Sequence, residues 1–111
     1  MPTTNTMNEM VDEWNGGHSP PYAFMSIRVE FFGVARQRAG TASIEIEAGT
    51  LGEALNAAAD RLPEFGRACV AGVRLQPAFI ANVNGEFFTS DPAAPLADGD
   101  SLLILSADAG G

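Results

Sequence analysis

The sequence of 111 residues contains no lysine, and its six positive charges are all arginines. Its 14 acidic residues leave a formal net charge of -8. Binding to nucleic acid requires a basic surface, so this charge balance argues against a nucleic-acid partner. An acidic surface favours a basic protein partner instead.

Cysteine, histidine and long apolar runs are also scarce. The only cysteine, Cys69, cannot form an internal disulfide, and neither it nor the only histidine, His18, lies in a metal-ligand spacing. This cysteine usage favours a reducing cytoplasm. No apolar run reaches the roughly 20 residues that cross a bilayer, and the first residues do not resemble a secretory signal. We expect a cytoplasmic protein with no membrane segment, no metal site and no bound cofactor.

The length allows one small domain. Residues 15–21 read NGGHSPP, a succession of turn formers that is typical of disordered termini. Regular patterns begin only after residue 24. We therefore predict a disordered extension over 1–24, a folded domain over 25–105 and a flexible tail over 106–111.

Two strands are predicted at the start of the domain. Residues 26–34 read SIRVEFFGV, in which apolar and polar residues alternate, and Phe32 and Val34 then make the end of the strand apolar on both faces. Residues 42–50 read ASIEIEAGT and alternate in the same way. The short link between them, which Gly40 can close after one helical turn, predicts an antiparallel hairpin.

The next element is the clearest helix start in the sequence. Thr50 and Glu53 have the S/T-x-x-E spacing of a capping box. Apolar residues then recur at helical spacing, and Pro63 ends the helix. The predicted stripe consists of Leu51, Ala54, Leu55, Ala58 and Leu62.

The rest of the domain is predicted to be a hairpin and a final strand. Residues 76–88 contain Asn84-Gly85, a strong signal for a tight hairpin turn. The last strand, SLLILS at 101–106, has four successive apolar residues and is predicted to be buried on both faces. The order of elements predicts an α+β fold of the ubiquitin-like β-grasp type. It would have a mixed sheet of four to five strands, one main helix across one face, and the last strand parallel to the first.

The sequence after the last strand contains only short residues, Ala107-Asp108-Ala109-Gly110-Gly111. A carboxylate resists attack, but joining it to AMP makes it an electrophile, and a sulfur nucleophile can then displace AMP to leave a thiocarboxylate. A narrow channel in a partner would admit only small residues, since glycine lets other groups approach the backbone. We predict that Gly111 is the reactive residue and that Ala107 to Gly110 enter the active site of a partner.

Four segments resemble one known family. They read VEFFGVARQRAG (29–40), AGTLGEALNAAADRLP (48–63), ANVNGEF (81–87) and LADGDSLLIL (96–105). With the terminal Gly-Gly, they are similar to the MoaD/ThiS family of sulfur-carrier proteins, and within it most similar to the small subunit of molybdopterin synthase. The tail departs from that subunit, which usually has Pro-Pro-Val before its last residues, whereas this chain reads Leu105-Ser106-Ala107-Asp108-Ala109.

The resemblance implies a set of partners. An adenylating enzyme related to ubiquitin-activating enzymes would use ATP to activate Gly111, and a cysteine desulfurase or a rhodanese-type protein would donate sulfur. The large subunit of molybdopterin synthase would accept the tail and supply the catalytic groups. The sheet face opposite the helix would dock these partners, and the residues predicted as exposed anchors there are Phe32, Phe79, Phe87 and Phe88.

Several alternatives stay open. The same activation could serve thiamine thiazole formation, tRNA thiolation or cysteine synthesis. The chain could instead be a protein modifier, although without lysine it could not build chains on itself, or a passive β-grasp interaction module. Catalysis by the chain alone is not indicated, because Asp91, Asp98 and Asp100 occupy turn contexts, where aspartate bonds its own backbone.

Overall fold

The computed structural model describes residues 25–110, so the predicted extension over 1–24 and the terminal Gly111 lie outside the described residues. In chain order the elements are β1 (Ser26–Phe31), α1 (Gly33–Ala39), β2 (Ser43–Glu47), α2 (Leu51–Arg61), α3 (Pro63–Cys69), β3 (Val70–Ala71), β4 (Arg74–Leu75), β5 (Phe79–Val83), β6 (Phe87–Thr89), β7 (Ser101–Ser106) and α4 (Ala107–Gly110). The last strand thus extends one residue past the predicted domain boundary.

Five strands form one mixed sheet in the order β2-β1-β7-β5-β6. β1 and β2 pair antiparallel, which confirms the predicted hairpin. β1 and β7 pair in parallel at the centre of the sheet, also as predicted. β3 and β4 form a separate small hairpin that the sequence patterns did not predict. The main sheet and the helix packed on one side of it are the predicted β-grasp fold.

α2 begins at the predicted capping box. The hydroxyl of Thr50 accepts a hydrogen bond from the backbone N–H of Glu53 (3.2 Å), and the Glu53 carboxylate accepts one from the backbone N–H of Gly49 (2.8 Å). The first bond satisfies a backbone donor that the start of a helix leaves without an intrahelical partner, and the second ties Glu53 to the residue that precedes the cap. The apolar stripe then faces the core, and its buried members are Leu51, Ala54, Leu55 and Ala58.

The prediction that the last strand is buried on both faces is wrong. Leu102 and Ile104 are fully buried, whereas Leu103 and Leu105, on the opposite side of β7, are only partly buried. The helices cover the side of the sheet on which Leu102 and Ile104 lie. They do not cover the side on which Leu103 and Leu105 lie. An unbroken apolar run has two interpretations: a strand covered on both sides by its own chain, or a strand with one side left for another molecule.

The prediction of an apolar end to β1 is also wrong. β1 stops at Phe31, and Phe32 is the residue that precedes α1, with 42% of its surface exposed. Val34 lies within α1 and is 43% exposed, because this short helix turns Ala35 and Ala39 toward the core instead. Gly40 closes α1 in the left-handed conformation (φ 75°), as predicted.

Pro63 separates α2 from α3 and occupies the first turn of α3, where its missing N–H costs nothing. The two helices approach closely at Gly66. A Cβ atom built on Gly66 would lie 2.7 Å from the Cβ and 3.0 Å from the Cα of Ala59. Glycine is therefore required here by the packing of α3 on α2.

We expect Gly66→Ala to destabilise the domain by about 1–3 kcal/mol, because the added methyl group forces the two helices apart. Urea unfolding followed by circular dichroism would measure this loss. The matched control is Arg67→Ala on the same helix, which removes an exposed side chain whose ion pair with Glu64 is exposed too. Its effect should stay within about 0.5 kcal/mol. Equal stability of the two variants would contradict the close packing.

Candidate functional site: the tail and the outer face of the sheet

The C-terminal tail leaves the sheet from its central strand. Ser106 of β7 still pairs with Phe79 of β5, and the backbone N–H of Ala107 donates a hydrogen bond to the carbonyl of Ala78 (2.8 Å). Ala107–Gly110 then form one helical turn, in which Asp108 is exposed. The tail is thus attached to the sheet at Ala107, and its predicted flexibility and the role of Gly111 remain predictions.

The side of the sheet opposite α2 forms a continuous surface, which we call the outer face. The strand register places Glu30 of β1 beside Leu103 of β7, Leu103 beside Asn82 of β5, and Asn82 beside Phe88 of β6. Direct neighbours on paired strands project from the same side of a sheet. With the next pair, Ile80 and Leu105, we restrict the name outer face to Glu30, Ile80, Asn82, Phe88, Leu103 and Leu105. Arg28, Glu45 and Ser101 lie on the same side of the sheet beyond Glu30 and Leu103, and Arg28 forms an ion pair with Glu45 (3.6 Å).

The apolar part of the outer face adjoins the tail. Leu105 directly precedes Ser106, after which the tail begins, and its neighbour Ile80 is likewise partly buried. Phe88 is 48% exposed. Apolar residues that are contiguous and accessible mark surfaces for other molecules more often than isolated ones do. A partner that binds this face would therefore lie next to the start of the tail.

The structure places the four predicted anchor residues in different surroundings. Phe88 lies on the outer face, and the extended backbone of Phe32 turns its side chain to the side opposite the buried Phe31. Phe87 is 49% exposed but pairs with Val83, on the helix side of the edge strand. Phe79 is partly buried and packs against the core.

Three residues of the outer face escaped the sequence reasoning. The run that contains Leu103 and Leu105 was predicted to be buried on both faces, and the run that contains Ile80 was predicted only to be a strand of a hairpin, with no surface role for Ile80. The sequence signal was the alternation along each strand. Each of these residues is adjacent in sequence to residues that the fold buries completely or packs on the core, so its own side chain projects from the opposite side of the sheet.

The aspartates near the strand ends serve the local backbone. Asp98 accepts a hydrogen bond from the backbone N–H of Ser26 (2.7 Å), and Asp100 accepts one from that of Ala97 (2.8 Å). Asp91 accepts one from the backbone N–H two residues later (2.9 Å). Each carboxylate therefore fixes a turn or a strand start, as their turn contexts indicated.

Cys69 is fully buried, as predicted for a small apolar residue. Burial raises the pKa of the Cys69 thiol, and the positive charge of Arg38 opposes this rise in part. Because the thiolate is the nucleophilic form, this cysteine is unreactive in the folded domain. Residues 25–110 contain no group of three or more side chains that could hold a metal ion. None of the helices in that range is long and apolar enough to span a membrane.

Comparison with solved structures supports the fold. SAMP1 of Haloferax volcanii is 23% identical with a TM-score of 0.63, over 78% of this chain and 99% of its own. A chain of the BexX/CysO complex of Amycolatopsis orientalis is 26% identical with a TM-score of 0.63, over 77% and 99%. A chain of the complex of subunits 1 and 2 of molybdopterin-converting factor from Helicobacter pylori 26695 is 22% identical with a TM-score of 0.52, over 74% and 93%.

Comparison at the level of sequence identifies the family. No curated protein sequence matches the chain. Residues 29–111, however, match the family model described as the ThiS family. That range contains most of β1, the rest of the sheet, the helices and residues 107–111. The chain therefore belongs to the ThiS family, a family of small ubiquitin-like sulfur carriers.

Proposed function

We propose that the chain carries sulfur for molybdopterin synthesis as the small subunit of molybdopterin synthase, with the carboxylate of Gly111 as its reactive group. The observation that carries this proposal is the tail. Its small residues directly follow the central strand β7, beside an apolar face, and the family match runs through Gly110 and Gly111.

The chemistry proceeds in two stages. A carboxylate oxygen of Gly111 attacks the α-phosphorus of ATP, pyrophosphate leaves, and an acyl-adenylate forms. A persulfide sulfur on the donor protein then attacks the carbonyl carbon and AMP leaves. A second thiol cleaves the remaining sulfur–sulfur bond, which leaves a thiocarboxylate on Gly111 and a disulfide on the donor. The thiocarboxylate sulfur is a nucleophile that can be passed to a pterin precursor.

The partners supply the catalytic groups in this proposal. The outer face, with Phe88 and Leu105 beside the tail, offers the adenylating enzyme and the large subunit a docking surface. Ala107 to Gly110 would then enter the partner's active site. The donor of sulfur would be a cysteine desulfurase or a rhodanese-type protein, and ATP would bind to the adenylating enzyme.

A second candidate keeps this activation and changes the acceptor of sulfur. Two observations favour it: the similarity to a chain of the BexX/CysO complex, and a tail that lacks the usual Pro-Pro-Val of molybdopterin synthase small subunits and carries a charge at Asp108. The similarity to SAMP1, a small archaeal modifier protein, adds attachment to other proteins as a further use of the same activated glycine.

Mass spectrometry of the intact chain tests the proposal directly. The purified chain is mixed with ATP, the ubiquitin-activating-type enzyme of the same genome and a sulfur donor. We expect the chain to gain the mass difference between one sulfur and one oxygen atom. No gain, while a known carrier responds in a parallel reaction with its own enzyme, would refute the sulfur-carrier function.

The thiocarboxylated chain then separates the acceptors. Mixed with the large subunit of molybdopterin synthase and the cyclic pterin precursor, it should form the dithiolene and return to the carboxylate form. Retention of sulfur in that reaction would favour the second candidate. Covalent adducts on other proteins that resist reductant would instead indicate a modifier.

A further inference from the structure

Asn82 lies on the outer face with an amide oxygen that the fold does not use. The residue is only 7% exposed, and no donor among the described residues reaches its Oδ1 atom, which is also shielded from water. A buried acceptor without a partner is costly, and such groups are rare in folded proteins. Asparagine is also disfavoured in strands compared with apolar residues of similar size.

The nearby Asn84 shows what an asparagine does here when it serves the fold. Its Oδ1 accepts a hydrogen bond from the backbone N–H of Ser101 (2.8 Å), and its Nδ2 donates one to Asp100 (3.0 Å). These bonds hold the β5–β6 turn against the start of β7. Asn82 makes no comparable bond through Oδ1. The stability of the isolated domain therefore does not explain why an amide oxygen is buried at this position.

Asn82 lies on the side of the sheet that would face a partner, although its Oδ1 has no accessible surface in the free domain. It is the third member of a row that crosses the sheet from Glu30 through Leu103 and Asn82 to Phe88. Strands lie about 4.8 Å apart, so Glu30 and Asn82 flank Leu103 at a separation of about 10 Å. The row therefore presents a carboxylate, a leucine and an amide oxygen in line, next to an exposed phenylalanine.

We infer that Asn82 Oδ1 is the acceptor for an arginine or lysine side chain of the protein that docks on the outer face. This inference rests on the proposed function, in which the adenylating enzyme is one of the two proteins that dock there, and we assign the donor to that enzyme. Oδ1 has no accessible surface in the free domain, so the donor reaches it only when side chains around it shift on docking; Phe88, its neighbour on β6, is 48% exposed. The carboxylate of Glu30 and the net charge of -8 favour a cationic donor over a neutral one.

Replacement of Asn82 by leucine should separate binding from stability. Asn82→Leu removes the unpaired acceptor at similar volume, so its melting temperature should equal or exceed that of the wild-type chain. Its dissociation constant for the purified adenylating enzyme, measured by calorimetry, should rise about 10- to 100-fold because a charge-assisted hydrogen bond is lost. Asn56→Leu, an exposed site on α2, is the matched control and should leave the dissociation constant unchanged.

Replacement by aspartate tests the direction of the hydrogen bond. Asn82→Asp keeps an acceptor oxygen in the same place and removes the amide donor, so it should bind the enzyme at least as tightly as the wild-type chain does. Binding as weak as that of Asn82→Leu would mean that the partner accepts from Nδ2, and this would overturn the inference.

Two further outcomes keep this inference distinct from the proposed function. If Asn82→Leu melts lower and binds normally, Asn82 serves the fold and only the inference fails. If the enzyme neither binds nor adenylates the wild-type chain, the proposed function fails, and the inference falls with it.

Discussion

A chain that lacks Gly111 should fold normally and should no longer be adenylated. Removal of one residue draws the terminal carboxylate back by up to about 3.5 Å. Misplacement of a reacting group by about 1 Å can already cost 100-fold in rate. We therefore expect loss of thiocarboxylate formation to below detection by mass spectrometry, while the melting temperature stays that of the full chain.

Two variants complete this experiment. One alanine appended after Gly111 should abolish activation as well, because it replaces the reacting glycine and lengthens the tail. Asp108→Ala changes the tail without changing its length or its last two residues, so it should still be activated. Activation of the shortened chain at the normal rate would contradict the proposed role of Gly111.

Phe65→Ala should destabilise the domain by about 3–5 kcal/mol, the usual cost of deleting a buried phenylalanine. Phe65 is fully buried, and its ring meets that of Phe31 edge to face, with centroids 4.9 Å apart and planes at 63°. This contact joins α3 to β1. Small domains have a total stability of about 5–15 kcal/mol, so urea unfolding should detect a large shift of the midpoint.

Phe88→Ala is the matched control, since it makes the same chemical change on the outer face. With half of its surface exposed in the folded state, Phe88 has little burial to lose, and the free energy of unfolding should change by about 1 kcal/mol or less. Binding of the adenylating enzyme should weaken instead. A stability loss equal to that of Phe65→Ala would show that Phe88 belongs to the core.

Local patterns in the sequence were sufficient for most of the fold. The alternation around Ile27 and Val29 predicted β1, the Thr50–Glu53 spacing predicted the start of α2, and Asn84-Gly85 predicted a hairpin whose two turn residues have positive φ. Each of these signals depends on residues that are neighbours in sequence. The parallel pairing of the first and last strands then followed from connection rules that restrict how a strand, helix and strand can join.

The sequence predicted a docking surface opposite the helix but not most of its residues, because the exposure of a strand residue depends on which side of the sheet the other elements leave uncovered. Leu103 has the same local pattern as a residue buried on both sides, and only the position of the helices shows that its side of the sheet is accessible. The unpaired oxygen of Asn82 is likewise a property of three strands in register. The small β3–β4 hairpin was missed because two-residue strands have no period to detect.

The helical turn over Ala107–Gly110 makes this part of the tail shorter than it would be as an extended chain. Four residues span about 6 Å as a helix and about 13 Å when drawn out straight. An isolated turn this short has almost no intrinsic stability, so straightening it requires little work. An enzyme that holds the sheet can therefore double the distance over which the glycines extend, while the strand pairing that ends at Ser106 and Phe79 stays closed.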